Sequence, residues 1–170
     1  MITGAILVGS EDRSSKVRFD AIDPSTGEPI APPFCDAGSQ DVADACALAA
    51  EAFATFRDLA PAQRAAFLER VADAILAIGD ELIDRATAES GLPRGRIEGE
   101  RGRTVGQLRL FASVVREGAW MDVTIDSALP DRTPLPRADL RRVNMPLGPV
   151  GVFGASNFPL AFSVAGGDTA

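Results

Sequence analysis

Histidine is absent from this 170-residue sequence, and lysine occurs only once, at Lys16. Without an imidazole, these residues hold no Ser-His-Asp triad, no histidine zinc site and no histidine acid–base catalyst. The two cysteines, Cys35 and Cys46, form neither a disulfide framework nor a metal-ligand spacing, so no metal site is predicted. A complete enzyme within this sequence would need a carboxylate, the single lysine or a cysteine as its reactive group.

An excess of basic residues is also lacking. Seventeen Lys and Arg stand against 24 Asp and Glu, which gives a net charge of −7 and argues against nucleic acid or an anionic membrane as a partner. No apolar run has the length of a transmembrane helix, and residues 2–8 are not preceded by the basic segment of a secretory signal. The length suits one domain with its own core. Together these features predict a cytoplasmic protein.

The most informative stretch of the chain is 147–162, LGPVGVFGASNFPLAF. The apolar run at 150–153 predicts a short strand buried on both faces, as in a parallel sheet. Small and polar residues at 154–157 predict a tight turn. Pro159 suits the first turn of a helix, and it disfavours helical angles at Phe158, where the turn should close. Strand, turn and helix together predict a carbonyl- or phosphate-binding corner.

Helical periodicity dominates the middle of the chain. Asp41 suits the N-cap of a first helix that ends near Phe56, and Pro61 suits the first turn of a second helix. Gly91 is predicted to end a third helix, and a fourth is predicted from about 94 to 117. We expect the following apolar positions to face the core: Val42, Cys46, Ala49, Phe53 and Phe56; Phe67, Val71, Ile75 and Ile78; Leu82, Ile83 and Ala86; Ile97, Thr104, Leu108, Phe111 and Val115.

Three further patterns complete the secondary-structure prediction. The turn sequence at 23–29 predicts a hairpin near the N-terminus. Two alternating segments, 120–126 and 139–145, flank a proline-rich connection and predict a second hairpin, either a projecting arm or a plain surface feature. Four glycines lie within the fourth helix and weaken it intrinsically, so we expect close packing against a neighbouring element there.

The corner resembles one in the aldehyde dehydrogenase superfamily, where a strand ends in a short turn followed by Asn-Phe-Pro. Residues 154–163 are similar to the version in bacterial α-ketoglutarate-semialdehyde dehydrogenases, also called 2,5-dioxovalerate dehydrogenases, and 99–104 and 164–170 fit the same group. NADP-linked fatty-aldehyde dehydrogenases look similar here. The resemblance runs over nearly the whole chain but covers only about the first third of such an enzyme.

The resemblance implies an α/β fold that is a truncated N-terminal part of the aldehyde dehydrogenase fold: a helical layer, a β-hairpin arm and the first strand of a Rossmann-like sheet. It assigns residues 1–126 to the N-terminal part of the cofactor-binding domain, 127–146 to an oligomerisation arm and 147–170 to the start of the NAD(P)-binding sheet. The catalytic domain is absent. A homo-oligomer that pairs through the arm is therefore expected.

The same resemblance implies the site residues. Asn157 matches the asparagine that stabilises the developing oxyanion, and Phe153, Gly154, Ala155 and Ser156 match positions lining NADP or NAD. Many members have Pro-Trp before the asparagine where this chain has Ala155-Ser156. The nucleophilic cysteine and the carboxylate base of the family lie beyond Ala170, and neither cysteine of this chain matches the nucleophile. The chain alone is therefore predicted to be inactive.

The implied reaction is oxidation of a small-molecule aldehyde to a carboxylate by NADP or NAD, with α-ketoglutarate semialdehyde yielding 2-oxoglutarate. Two alternatives stay open: an NADP-dependent fatty-aldehyde dehydrogenase, and a non-catalytic pairing module related to such enzymes. Arg101 and Arg103 are placed to hold a carboxylate-bearing aldehyde, but helix-surface ion pairs explain them more simply, so neither is assigned to the site.

Overall fold

The computed structural model of the chain describes residues 2–164, in which short antiparallel hairpins surround four long helices. Among these residues, no helix is both long and apolar enough to cross a membrane. The resemblance noted for the sequence at 165–170 lies outside the described residues. The strands are β1 (Ile6–Val8), β2 (Glu11–Arg13), β3 (Arg18–Ile22), β4 (Pro29–Cys35), β5 (Thr124–Asp126) and β6 (Leu140–Arg142), and the helices are α1 (Ser39–Arg57), α2 (Pro61–Ile78), α3 (Asp80–Ser90), α4 (Arg94–Glu117) and α5 (Ala161–Val164).

The N-terminal hairpin is confirmed: β3 and β4 pair antiparallel around the predicted turn. Asp23 stabilises that turn, because its Oδ1 accepts hydrogen bonds from the Ser25 backbone N–H at 2.8 Å and hydroxyl at 2.6 Å. A smaller hairpin of β1 and β2 precedes it. The sequence pattern did not predict β2, because a three-residue strand of charged side chains carries no periodic signal.

The core is formed mainly by α2 and α4, which pack along each other. Ala72, Val105 and Leu108 are buried between them. A second buried cluster joins α3 to the start of α4 through Ile83, Ala86 and Ile97, and Leu160 packs against it. Small residues on α2 let the two long helices approach closely, and the second cluster places the residues just after the predicted corner against α3 and α4.

Local signals at helix ends are mostly confirmed. Pro61 occupies the first turn of α2, and Gly91 ends α3 in the left-handed conformation at φ 66°. The prediction for Asp41 is wrong in detail: Gly38 is the N-cap of α1, and the Asp41 carboxylate in the first turn accepts the Gly38 N–H at 2.9 Å. The Asp41 side chain, three residues after the N-cap, therefore satisfies the N-cap backbone N–H.

The predicted burial of α1 is wrong for this chain. No residue of α1 is buried, and Val42, Cys46 and Phe56 are exposed. Its polar contacts are with β2, where Arg13 donates to Asp41 at 3.3 Å and to Asp44 at 2.6 Å. Of its apolar stripe, Phe56 lies edge-on to Phe67 of α2, and the stripe as a whole stays open to solvent. In α2, Phe67 and Ile78 of the predicted seam are likewise exposed.

The helical glycines also depart from expectation. A Cβ built at any of the four would meet no described atom within 4 Å, so the predicted close packing is not formed by residues 2–164. The four positions are Gly95, Gly99, Gly102 and Gly106.

The second predicted hairpin forms, with β5 and β6 paired antiparallel and a further bridge between Leu129 and Arg137. Its strands are shorter than the alternating segments, and Trp120 lies in a 3-10 turn at Ala119–Met121 rather than in a strand. All residues of β5 and β6 are exposed, as expected for either a projecting arm or a plain surface hairpin.

The strand predicted at 150–153 does not form among the described residues. Val150 is 74% and Phe153 is 96% exposed, whereas the prediction placed both in a buried sheet. A strand needs a hydrogen-bonded neighbour, and no described residue supplies one beside this segment. The segment is apolar, but its partners are not in the described part of the chain.

Candidate active-site corner

The turn at 154–158 forms as predicted, whereas the helix after it begins at Ala161, two residues later than the prediction for Pro159. The Phe158 N–H donates to the Ala155 carbonyl at 3.2 Å and closes the turn. The Phe162 N–H then donates to the Phe158 carbonyl at 3.3 Å. This bond forms a single turn that leads into α5. Because α5 begins at Ala161, Pro159 lies two residues before the helix, in the turn that leads into it.

Arg96 of α4 contacts the corner in two ways. Its Nη2 donates to the Asn157 backbone carbonyl at 2.6 Å, and its guanidinium lies 4.8 Å from the centre of the Phe158 ring. Phe158 in turn stacks on Phe162 with 4.4 Å between ring centres. The backbone on the C-terminal side of Asn157 is therefore held by a charge-assisted hydrogen bond and a cation–π contact.

Glu100 and Thr104 continue the contact one and two turns further along α4. Glu100 Oε2 accepts the backbone N–H groups of Leu160 at 3.3 Å and Ala161 at 3.5 Å. The Thr104 hydroxyl donates to the Leu160 carbonyl at 3.2 Å. Both side chains are buried, and Glu100 is only 5% exposed. The start of α5 is thus fixed to α4 by polar groups that water does not reach.

The buried carboxylate of Glu100 is compensated from two sides. Its Oε2 carries the two backbone bonds, and Arg96 Nε lies 3.4 Å from Oε1. That ion pair lacks hydrogen-bond geometry, so Oε1 has no hydrogen-bond donor among the described residues. A buried charge is costly unless it is paired, which ties Glu100 to both Arg96 and the corner.

The side chain of Asn157 is exposed and lines a cavity of about 580 Å³ between the corner and α3. Within residues 2–164, its amide makes no hydrogen bond, and it does not cap α5. An amide is a neutral group that offers two N–H donors, so this side chain is available to a ligand oxygen. The other lining residues are Leu82, Arg85, Ala86, Glu89, Ser90, Leu92, Ser156, Pro159 and Leu160.

The four residues that the resemblance assigns to NADP or NAD lie together ahead of Asn157. Phe153, Gly154 and Ser156 are exposed and Ala155 is half-buried. A Cβ at Gly154 would overlap only the Ser163 hydroxyl, which can rotate away, so the structure shows close approach to α5 here without a strict need for glycine. An exposed aromatic ring, open backbone and one hydroxyl are groups that fit a dinucleotide at this place.

Arg101 and Arg103, which the sequence analysis considered together, have different contacts in the structure. Arg101 donates to the Gly79 carbonyl at 3.0 Å and fastens α4 to the end of α2. The Arg103 guanidinium lies 5.9 Å from the centre of the Phe162 ring, and no carboxylate pairs with it among the described residues. Arg101 therefore has a structural role, whereas Arg103 carries an uncompensated positive charge beside the corner.

Sequence reasoning missed the role of Arg96, Glu100 and Thr104. Glu100 was not among the residues predicted to face the core, yet its side chain is buried. A signal was present: Glu100 and Thr104 fall on the same helical stripe as the buried Ile97 and Leu108. A carboxylate within an apolar stripe predicts a buried polar contact, although not its partner.

Neither cysteine belongs to the corner. Cys35 lies in β4, where its thiol contacts the Ser15 carbonyl at 3.9 Å, and Cys46 is exposed on α1. Neither lines the cavity beside Asn157. Within the described range, no three His, Cys, Asp or Glu side chains are grouped to hold a metal ion.

Two curated relatives match most of the chain. It is 61% identical over 99% of its length to α-ketoglutaric semialdehyde dehydrogenase 2 of Azospirillum brasilense, of which it covers 33%. It is 47% identical over 89% of its length to α-ketoglutaric semialdehyde dehydrogenase of Acinetobacter baylyi, of which it covers 29%. The chain thus spans about a third of the length of these relatives.

The fold has a counterpart among solved structures. The crystal structure of HpcC from Thermus thermophilus superposes with a TM-score of 0.74 at 23% identity, over 92% of this chain and 29% of that one. The sequence model of the aldehyde dehydrogenase family matches residues 11–166. This chain therefore belongs to the aldehyde dehydrogenase family.

Proposed function

We propose that the chain is the N-terminal third of an NAD(P)-dependent dehydrogenase that oxidises α-ketoglutarate semialdehyde to 2-oxoglutarate. The observation that carries the proposal is the corner itself: an Asn-Phe-Pro turn whose asparagine amide is unbonded among the described residues and faces a cavity. The names of the two relatives support the substrate. Arg103, which no described carboxylate pairs, is in keeping with a substrate that carries a carboxylate.

In this reaction the aldehyde carbon gives up a hydride and gains an oxygen from water, with release of two protons. The dinucleotide, when bound, supplies the hydride acceptor. Phe153, Gly154, Ala155 and Ser156 would hold it beside the cavity. The Asn157 amide N–H donates to the carbonyl oxygen of the substrate as negative charge develops there. The nucleophilic cysteine and the carboxylate base come from the part of the enzyme that follows residue 170.

Three further assignments belong to the same proposal. Residues 1–126 and 147–170 form parts of the cofactor-binding domain, and the 127–146 segment, which includes the exposed connection between β5 and β6, is the arm that pairs subunits. Exposed apolar side chains on and beside that arm, including Ile125 and Leu140, support a subunit contact. A cytoplasmic location is the third assignment.

The test is Asn157→Ala in the full-length enzyme. Loss of one oxyanion donor is expected to slow hydride transfer about 10²- to 10³-fold, roughly 2.7–4 kcal/mol. The melting temperature should stay unchanged, because the amide makes no hydrogen bond within the described residues. Single-turnover formation of NAD(P)H and thermal unfolding measure the two quantities.

Asn144→Ala is the matched control. Its amide donates to the Trp120 carbonyl at 3.0 Å at the base of the arm, so its loss should affect stability and leave hydride transfer alone. Unchanged hydride transfer in Asn157→Ala would contradict the catalytic assignment. Faster turnover of a long-chain fatty aldehyde would contradict the substrate, and aldehyde oxidation by the 170-residue chain alone would contradict its being an incomplete enzyme.

A further inference from the structure

We propose that Arg96, Glu100 and Thr104 are positioning residues that hold Asn157 in the orientation its catalytic role requires. This inference rests on the proposed function of Asn157 and deepens it. None of the three side chains is placed against the reacting atoms. Each acts through the backbone of residues 157–161, and we call the three together the positioning row.

The row is continuous along one face of α4. Its members are four residues apart, so they lie one above the other on the helix. Each bonds a different backbone group of the corner: Arg96 the Asn157 carbonyl, Glu100 the N–H groups of Leu160 and Ala161, and Thr104 the Leu160 carbonyl. These four hydrogen bonds fix the backbone path of residues 157–161. They therefore also fix the direction in which the Asn157 side chain points from that backbone.

The row also explains why Asn157 is not engaged as a cap. The first N–H groups of a helix have no partner within the helix, and a side chain at or near the N-cap normally accepts them. α5 begins at Ala161, and Asn157 lies four residues before it. An asparagine oxygen can accept the backbone N–H three residues later, which here is that of Leu160. Glu100 of α4 accepts this N–H and that of Ala161 instead. The asparagine amide is thereby released from capping and remains available to a substrate oxygen.

The charge of Glu100 is less important here than its acceptor oxygen. Glutamine at this position would keep an oxygen for the two N–H groups, whereas alanine would leave both unpaired, including the buried one of Ala161. Glu100→Gln should therefore preserve the orientation of the corner, and Glu100→Ala should lose it. This contrast separates a positioning role from a simple need for charge next to Arg96.

The experiment is a double-mutant cycle in the full-length enzyme. Glu100→Ala, Glu100→Gln and Thr104→Val are each made alone and in the Asn157→Ala background, with Glu98→Gln as a matched control. Glu98 pairs with Arg94 on an exposed face of the same helix, away from the residues that bond the corner. Single-turnover hydride transfer, aldehyde KM and melting temperature are measured for each protein.

Alone, Glu100→Ala should slow hydride transfer about 10- to 100-fold, because small displacements of a reacting group have effects of that size. Thr104→Val should slow it roughly twofold to tenfold, and Glu100→Gln should stay within about threefold of the parent. The aldehyde KM should change little, because the lost interaction is made in the transition state. In the Asn157→Ala background the same changes should have almost no further effect on hydride transfer.

The outcomes are distinguishable. Two results overturn the positioning role while the role of Asn157 stands. In the first, the rate losses of the Glu100 and Thr104 variants add fully to the loss in Asn157→Ala. In the second, Glu100→Ala transfers hydride as fast as Glu98→Gln. An unchanged rate in Asn157→Ala by itself overturns the proposed function and the route through Asn157 with it. If Glu100→Ala does not fold, the Thr104→Val cycle decides, because that change removes one hydroxyl and keeps the side-chain shape.

Discussion

The α2–α4 pair and the segment 143–155 are both rich in apolar residues, yet only the pair buries them. Ala72, Val105 and Leu108 are enclosed between the two helices, whereas Val150 and Phe153 are largely open to solvent. The helices find their partners within the described chain, and the segment does not. An apolar pattern therefore shows what a segment will bury, while the covering element has to be identified separately.

The largest effect on stability is expected from truncating a buried side chain of the helical core. Ile97 is fully buried, so Ile97→Ala should lower the free energy of unfolding by about 2–5 kcal/mol. Urea denaturation of the 170-residue chain measures the effect. Leu110→Ala, on an exposed part of the same helix, is the control and should cost far less. Equal costs for the two variants would show that the helical core is not formed as described.

Val150→Ala tests the exposed apolar segment at 143–155. In the 170-residue chain the change should be within about 0.5 kcal/mol of neutral, because the side chain is 74% exposed. In the full-length enzyme we propose that 150–153 becomes a buried strand, so the same change should cost roughly 1.5–3 kcal/mol. Thermal and urea unfolding of both proteins give the comparison. An equal effect in the two would contradict the proposed strand.

Local rules predicted the parts of the fold that local sequence determines. Pro61 in a first helical turn, Gly91 in the left-handed conformation and the turn before Pro159 all depend on the backbone preferences of one or two residues. The stripe on α1 failed for a different reason. The helix forms as its periodicity predicts, but burial of Val42 needs a surface that the described residues do not contain.

The candidate site shows the same division. The turn around Asn157 was predicted from contiguous residues. The contacts of Glu100 were not, because its partners lie 60 and 61 residues later and no short-range pattern indicates that pairing. Burial of Glu100 can be predicted from the sequence, because Glu100 lies on the same apolar stripe of α4 as Ile97. The groups that its carboxylate bonds can be identified only from the tertiary structure.

The smallest effect concerns the ion pair that joins α2 to the end of α4. Arg116 donates two hydrogen bonds, each 2.6 Å long, to the Glu69 carboxylate and holds the pKa of that carboxyl below its ordinary value near 4.5. Because the folded-state pKa is lowered, the pair stabilises the fold above the unfolded-state pKa. That contribution is lost as the pH falls through the folded-state pKa.

Glu69→Gln should therefore lower the melting temperature slightly at pH 7 and leave it unchanged once the pH is below the folded-state pKa of Glu69. The effect is small because both side chains are well exposed and solvent screens their attraction. Glu117→Gln is the control, since no ion pair to Glu117 occurs in the part of the chain that the structure describes. A difference between Glu69→Gln and the parent that grew toward acid pH would have the wrong sign and would refute the pairing.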